Sequence, residues 1–168
     1  TYTLSKSRDN TTATSGSATV AQNDQDLDAE WALSNFDRRH QLNGTATLEL
    51  PFGRNRHWLS TGGWLAAVAG GWSMSANVNW QSGTPLTARC SSCAANVATG
   101  VVGTLRADAT GQPIALANPT INQFFNTAAF AIPAAGTFGT SGRNVIIGPG
   151  SHVLNAQFTR DLSLGQNR

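Results

Sequence analysis

The sequence has few charged residues and no long apolar run. Only 12% of its 168 residues are charged, and the 11 Lys and Arg residues are scattered along the chain. A nucleic-acid-binding surface needs a basic patch, so this composition argues against that class of partner. No segment approaches the ~18 consecutive apolar residues of a transmembrane helix, which excludes that element. A transmembrane strand needs only ~10 alternating residues and is not excluded.

Cysteine is scarce as well. The two cysteines, Cys90 and Cys93, lie in a Cys-Ser-Ser-Cys turn. In a reducing compartment they would suggest a redox or metal pair, but a structural zinc ion needs two further ligands, and no second pair occurs at a suitable spacing. We therefore favour a local disulfide formed in an oxidising compartment.

Both ends of the sequence lack the features of a complete chain. Residues 1–7 contain no initiator Met and no signal-peptide pattern, and the C-terminal residues follow directly on a strand pattern. We expect a segment of a larger protein.

Alternation of apolar and polar residues is clearest between Trp72 and Gln81. Successive side chains of a strand point to opposite faces. The residues that share the apolar face are Trp72, Met74, Ala76, Val78 and Trp80. This face would be the core of a soluble sandwich, or it would meet lipid in an outer-membrane barrel, with the two tryptophans near the two interfaces.

The same two-residue period recurs along the chain and predicts an all-β fold of antiparallel strands. We predict one β segment over residues 1–168, with strands at about 1–7, 41–52, 72–88 and 153–164. Residues 64–71 could form a short helix or lead into the third strand. We expect the latter, with a turn or bulge at the two glycines that end this stretch. The remaining segments, 8–35 and 89–150, read as long loops. Loops beyond ~15 residues are uncommon in compact soluble domains but normal in outer-membrane barrels.

Several short motifs resemble a known family. They are Phe36-Asp-Arg-Arg-His40, Leu50-Pro-Phe-Gly53, Gly70-Gly-Trp72, Gln81-Ser-Gly-Thr-Pro85, Phe125-Asn-Thr-Ala-Ala-Phe130, Gly142-Arg-Asn144 and Gly148-Pro-Gly150. In this order they resemble the C-terminal barrel region of TonB-dependent outer-membrane receptors. The resemblance is greatest to the Oar-like branch, whose members carry an N-terminal carboxypeptidase-regulatory-like domain.

The resemblance implies a large antiparallel barrel, of about 22 strands in plugged transporters, located in the bacterial outer membrane. Such a receptor takes up a bulky substrate with energy from an inner-membrane complex, and the family supplies no catalytic residues and no cofactor. The implied partners are the rest of the barrel, outer-membrane lipid and that energy-coupling complex.

The sequence departs from the family by omission, because it contains no plug, no energy-coupling box and too few strands. A barrel needs about eight strands to close. We therefore interpret the chain as a segment of a receptor. The alternative is a stand-alone small β protein derived from such a segment, which would act as a homo-oligomeric binding module or, less favoured, as a hydrolase.

The densest charged cluster is Asp37, Arg38, Arg39 and His40. As a functional site it would bind an anionic ligand. As a structural feature, Asp37 would pair with an arginine at the start of a strand near the membrane boundary, where Arg160 of the last strand would also be tolerated.

No metal site and no catalytic site is predicted. The acidic run of Asp24, Asp26, Asp28 and Glu30 lacks the turn glycine and the bidentate Glu of a calcium loop. The histidines are His40, His57 and His152, and they lack carboxylates at ligand spacing. Ser141 would need a Gly-x-Ser-x-Gly turn to act as a nucleophile with Asp37 or Asp161 and a histidine, but Arg143 occupies the last position of that motif.

The five tryptophans are a candidate sugar-stacking platform. They are Trp31, Trp58, Trp64, Trp72 and Trp80. Because two of them bracket an apolar strand face, we favour interface or core positions for this set.

Overall fold

A computed structural model describes residues 1–10, 13–14, 17–18, 21–52, 57–58, 63–93 and 105–161. The strands in this part of the chain are β1 (Tyr2–Leu4), β2 (Arg8–Asp9), β3 (Ala13–Thr14), β4 (Ser17–Ala18), β5 (Ala32–Leu33), β6 (His40–Glu49), β7 (Trp72–Gln81), β8 (Pro85–Leu86), β9 (Asp108–Ala109), β10 (Phe130–Ala131), β11 (Ile146–Ile147) and β12 (Ser151–Arg160). One short helix, α1 (Trp64–Ala69), and three 3₁₀ turns at Asp28–Glu30, Ser91–Cys93 and Thr127–Ala129 complete these elements.

The three long strands and the short β1 form one four-stranded sheet in the order β1-β6-β7-β12. Its hydrogen bonds are antiparallel: the Ser82 N–H donates to the His40 carbonyl at 2.9 Å, and the Leu50 N–H donates to the Trp72 carbonyl at 2.9 Å. The prediction of an all-β fold of antiparallel strands is confirmed. The strand bounds differ from those predicted, because β7 ends at Gln81 and the next two-residue strand, β8, pairs with β11 instead.

Contacts divide the chain into two compact units. The first contains residues 1–2, 42–80 and the chain from 152 onward, and the second contains residues 3–41 and 81–151. Each is described by itself below. The prediction of a single β segment over residues 1–168 stays a prediction.

In the first unit, the register of the sheet aligns three apolar rows on one face. Hydrogen bonds set Leu50 opposite Trp72, and Gly71 next to Asp161, whose N–H donates to the Gly71 carbonyl at 2.8 Å. Counting by two from these pairs gives the side chains that share the face: Leu42, Ala46, Leu48, Trp72, Met74, Ala76, Val78, Trp80, Leu154, Ala156 and Phe158. Many of them are exposed, and Leu154 retains 68% of its accessible surface.

The opposite face of the same strands is polar and almost without charge. Cross-strand hydrogen bonds join Asn77 Nδ2 to Thr45 Oγ1 at 3.2 Å and Asn79 Nδ2 to Asn43 Oδ1 at 2.6 Å. Directly opposed side chains of antiparallel strands are close enough for such bonds. The two faces therefore have distinct chemistry along the full length of β6 and β7.

Residues 64–71 form the helix α1 and a turn, so the expectation that they lead straight into the strand was wrong. Ala and Leu favour a helix, and the two glycines after α1 end it. Gly71 has φ +77°, and a Cβ there would lie 2.4 Å from the Asp161 carbonyl oxygen. The turn at Gly70-Gly71 that precedes β7 does occur, and the Trp72 Nε1–H donates back to the Val68 carbonyl at 3.2 Å.

The second unit is built from short antiparallel pairs, β2 with β5, β8 with β11, and β9 with β10, together with β3 and β4. A small apolar cluster contains Cys90, Cys93 and Leu105, with Phe138 packed against it. A disulfide joins Cys90 to Cys93. Within the ranges given above, no helix is long and apolar enough to cross a membrane.

Candidate functional site

The second unit contains a cleft of about 430 Å³. Its lining residues are Lys6, Leu33, Asp37, Arg39, His40, Ser82, Gly83 and Ile147. Three of the four residues of the predicted anion-binding cluster therefore lie at one cleft. Arg38, the fourth, is not among the lining residues.

Asp37 is held at the cleft by its backbone and its carboxylate. The Asp37 N–H donates to the Ser34 carbonyl at 3.0 Å, and Oδ1 of Asp37 accepts the Ser7 N–H at 2.6 Å. Asp37 is 5% exposed, and Ser34 is fully buried with its hydroxyl 2.9 Å from that of Ser7. Among the described residues, the partner of this carboxylate is thus a backbone amide and not the arginine that we expected.

Arg39 and His40 are positioned by the start of β6. The His40 N–H donates to Ser82 Oγ at 3.1 Å, and the His40 carbonyl accepts the Ser82 N–H at 2.9 Å. On the other side, the Arg39 carbonyl accepts the Ser5 N–H at 3.2 Å, and the Arg38 carbonyl accepts the Ser5 hydroxyl at 2.9 Å. The Arg38 side chain lies outside the lining of the cleft.

The two apolar walls of the cleft are joined through Asn144. This residue has φ +57°, a conformation that Asn tolerates better than most residues. Its Nδ2 donates to the Leu33 carbonyl at 2.6 Å, and its N–H donates to Thr87 Oγ1 at 3.0 Å. Asn144 therefore connects the end of β5, which carries Leu33, to the segment that leads into β11 and Ile147.

A buried ionic network lies in the same unit. Glu30, at 4% exposure, accepts a hydrogen bond from Arg106 Nη1 at 3.1 Å, and its Oε2 lies 3.8 Å from Arg143 Nε. Arg143 also donates to the carboxylate and the carbonyl of Asp9. Gln22 joins the network, since its N–H donates to Glu30 Oε1 at 3.0 Å and its Oε1 accepts the Arg106 N–H at 2.9 Å.

Sequence reasoning missed this network. Two carboxylates and two guanidinium groups balance in charge, and they join the N-terminal loop to the segments around residues 106 and 143. Buried charges need such partners. One sequence feature could have indicated a buried charge: Arg106 lies in the stretch Thr-Leu-Arg-Ala, next to apolar residues, in a chain with few charged residues.

In the first unit, the two candidate interface tryptophans stand at opposite ends of β7. The Arg160 guanidinium lies 5.7 Å from the Trp72 ring centroid, and the ring centroids of Trp80 and His152 are 6.0 Å apart. Eight residue steps separate the two tryptophans, which at ~3.3 Å each span about 26 Å. The apolar band of outer-membrane barrels is about 25 Å tall and is flanked by aromatic girdles.

The other sequence candidates are not assembled into a site. The described ranges hold no group of three or more His, Cys, Asp or Glu residues that could bind a metal ion. Ser141 is 2% exposed, and its hydroxyl has no hydrogen-bond partner among the described residues, so no histidine activates it there. Of the acidic run, Glu30 is engaged in the ionic network, and Asp26 Oδ1 accepts the Ala29 N–H at 3.3 Å.

The Trp72–Trp80 strand, its apolar neighbours and the amide-lined opposite face define a sheet of the outer-membrane barrel type. The family model of the outer membrane beta barrel domain matches residues 1–168, and the chain belongs to that family. No curated protein and no solved structure matches the chain. The four-stranded sheet fits a partial barrel, and the family points to a location in the bacterial outer membrane.

Proposed function

We propose that the chain is a segment of the barrel of a TonB-dependent outer-membrane receptor, and that it forms part of the wall through which the whole receptor takes up its substrate. The observation that carries the proposal is the sheet of the first unit, with an apolar face about 26 Å long between two tryptophans. The ordered motifs from Phe36-Asp-Arg-Arg-His40 to Gly148-Pro-Gly150 support the receptor class within the wider family.

The proposal assigns a role to each face of the sheet. The apolar rows contact lipid, where a lone charge is costly near the midplane and tolerated near the interfaces. Arg160 lies beside Trp72 at one end of the rows, in keeping with an interfacial position. The neutral amide and hydroxyl rows line the interior and contact water or substrate.

The lengths of the connections between strands indicate how the sheet is oriented across the outer membrane. Residues 82–150 join the ends of β7 and β12 that carry Trp80 and His152, whereas residues 50–71 join β6 to β7 at the Trp72 end. Extracellular loops of outer-membrane barrels are long and periplasmic turns are short. We therefore assign the Trp80 end of the strands to the cell exterior.

The alternative function is that of a stand-alone β protein that buries the apolar face by self-association. In the described residues, β1 and β12 are the edge strands of the sheet, and edge strands readily pair with other chains. Such a protein would be a water-soluble oligomer with the apolar rows at its interface, and would not need a lipid partner.

Cysteine accessibility in the complete gene product, expressed in its own host, separates the two functions. Single variants Ala76→Cys and Ser75→Cys would be treated with a membrane-impermeant maleimide, before and after solubilisation in detergent. In a receptor barrel, the thiol at position 76 reacts only after the bilayer is removed, and the product fractionates with the outer membrane. A product that remains soluble without detergent, with a protected thiol at position 76, supports the stand-alone protein and refutes the barrel.

The receptor class is tested by a binding measurement on the same purified gene product. A TonB-dependent receptor carries a plug with a coupling segment that binds the periplasmic domain of the energy-coupling protein. Binding of that domain to the full-length product is the expected result. A gene product that occupies the outer membrane but lacks a plug and does not bind the domain would refute the receptor class and leave a barrel of another kind.

A further inference from the structure

The cleft of the second unit combines an excess of positive charge with an apolar lining. Lys6 and Arg39 bring two cations, and the carboxylate of Asp37 brings one negative charge. Among the described residues, neither the Lys6 ammonium nor the Arg39 guanidinium has an ion-pair partner. Both side chains are exposed and available to a ligand.

Asp37 cancels only one of the two positive charges of the cleft. Its carboxylate is buried and accepts the Ser7 N–H at 2.6 Å, a short charge-assisted hydrogen bond. The charges of Lys6, Arg39 and Asp37 sum to a single positive charge. One negative charge on a ligand would therefore complement the site.

The apolar part of the cleft comes from Leu33 and Ile147. Ile147 is 51% exposed in β11, where it pairs with Pro85, so it offers an aliphatic surface that the fold does not cover. The volume of about 430 Å³ falls within the range of small-molecule sites, which combine a largely apolar lining with a few placed polar groups.

We propose that this cleft binds a small organic monoanion with an aliphatic body, such as a short-chain carboxylate. The guanidinium of Arg39 and the ammonium of Lys6 contact the carboxylate of the ligand, and the Leu33 and Ile147 side chains contact its aliphatic chain. Arg39 suits the first role because a guanidinium presents paired donors to a carboxylate. Every lining residue belongs to the second unit, so the proposal does not use the apolar sheet face on which the proposed transport function rests.

Binding of hexanoate to the complete gene product, held in a detergent-free amphipathic polymer, tests the charge requirement. Ligand-observed NMR would compare hexanoate with hexanamide, its neutral analogue. We expect hexanamide to bind up to about 5-fold more weakly, since about 5-fold is the upper value for an exposed ion pair. Equal binding of the two compounds, or binding of inorganic phosphate in place of hexanoate, would overturn the proposal.

Two neighbouring arginines provide a matched pair of variants. Arg39→Gln should weaken hexanoate binding by about 5-fold, whereas Arg38→Gln, whose side chain does not line the cleft, should change it less than 2-fold. Lys6→Gln supplies a second variant should Arg39→Gln fail to fold. Equal losses in Arg39→Gln and Arg38→Gln would indicate a general surface-charge effect and would refute the site.

Chain length tests the apolar wall. In the wild-type protein hexanoate should bind more tightly than acetate, because burial of each CH₂ contributes up to about 0.8 kcal/mol, or about 4-fold. Ile147→Thr keeps a β-branched side chain at this exposed position but replaces the ethyl group with a hydroxyl. It should therefore reduce the difference in affinity between hexanoate and acetate. A wild-type protein that binds acetate and hexanoate equally does not use the aliphatic wall as we propose.

Discussion

Glu30→Gln should destabilise the second unit selectively. The substitution preserves the shape of the side chain and the acceptor that receives the Gln22 N–H at 3.0 Å. It removes the negative charge that faces Arg106 Nη1 at 3.1 Å and Arg143 Nε at 3.8 Å. Among the ion pairs of the described residues, Arg106 then loses its carboxylate partner, while Arg143 keeps that of Asp9.

The expected loss of folding free energy follows from the burial of the ion pairs that Glu30 makes. Removing one partner of a buried ion pair typically costs about 3–5 kcal/mol, because the remaining charge is desolvated without compensation. The cost of Glu30→Gln should lie in that range, since Glu30 is 4% exposed and both arginine side chains are equally buried. A second substitution, Arg106→Gln, removes one of the stranded charges, so the double variant should be more stable than the sum of the two single effects predicts by about 1 kcal/mol or more.

Hydrogen exchange measured by mass spectrometry localises the effect. Peptides from residues 21–35 and 105–110 should lose protection in Glu30→Gln, while a peptide from β7 serves as an internal reference in the other unit. The control is Asp28→Asn, an exposed carboxylate in the same 3₁₀ turn, which should change stability by less than about 0.5 kcal/mol. Protection in Glu30→Gln within about 0.5 kcal/mol of the wild type would refute the argument that the network stabilises this unit.

Two further predictions concern the sheet and a close backbone contact. Ala76→Lys, midway along the apolar face, should cost about 2–4 kcal/mol on folding of the complete gene product into lipid vesicles, measured by urea titration, whereas the adjacent Ser75→Lys should cost much less. Equal costs would contradict the assignment of that face to lipid. Gly139→Ala places a Cβ 1.9 Å from the Arg106 carbonyl oxygen and should lower stability in a thermal unfolding measurement by about 1–3 kcal/mol, while Gly44→Ala, with no atom within 4 Å of the added Cβ, should be neutral or slightly stabilising. An unchanged melting temperature in Gly139→Ala would contradict this close packing.

The two-faced strands could be predicted because their signal is local. The alternation of apolar and polar side chains along a strand is visible within a few residues of sequence. The pairing of Trp72 with Arg160 follows once the register between β7 and β12 is known. The helix α1 was the less favoured of two alternatives for a related reason. Trp-Leu-Ala-Ala-Val-Ala is apolar throughout, so no period separates a helix from a strand, and only the good helix propensity of Ala and Leu favours the observed form.

The cleft and the ionic network could be predicted only in part. Asp37, Arg39 and His40 are adjacent in sequence, which made them visible as a cluster, but their companions Lys6 and Ile147 come from distant segments. Glu30 is likewise distant in sequence from both of its arginine partners, by 76 residues from Arg106 and by 113 residues from Arg143. Nothing in the local pattern around these charges records which partner each one meets, because long-range pairing depends on how the short strands of the second unit pack.

The shared register of β6, β7 and β12 restricts how this sheet can change length. An insertion or deletion of one residue within β7 would turn the amide side chains of Asn77 and Asn79 toward the apolar rows and break their bonds to Thr45 and Asn43. A two-residue change keeps each side chain on its own face. Among related sequences, insertions and deletions should therefore occur mainly in the connecting segments. Within the strands they should occur two residues at a time or at bulges.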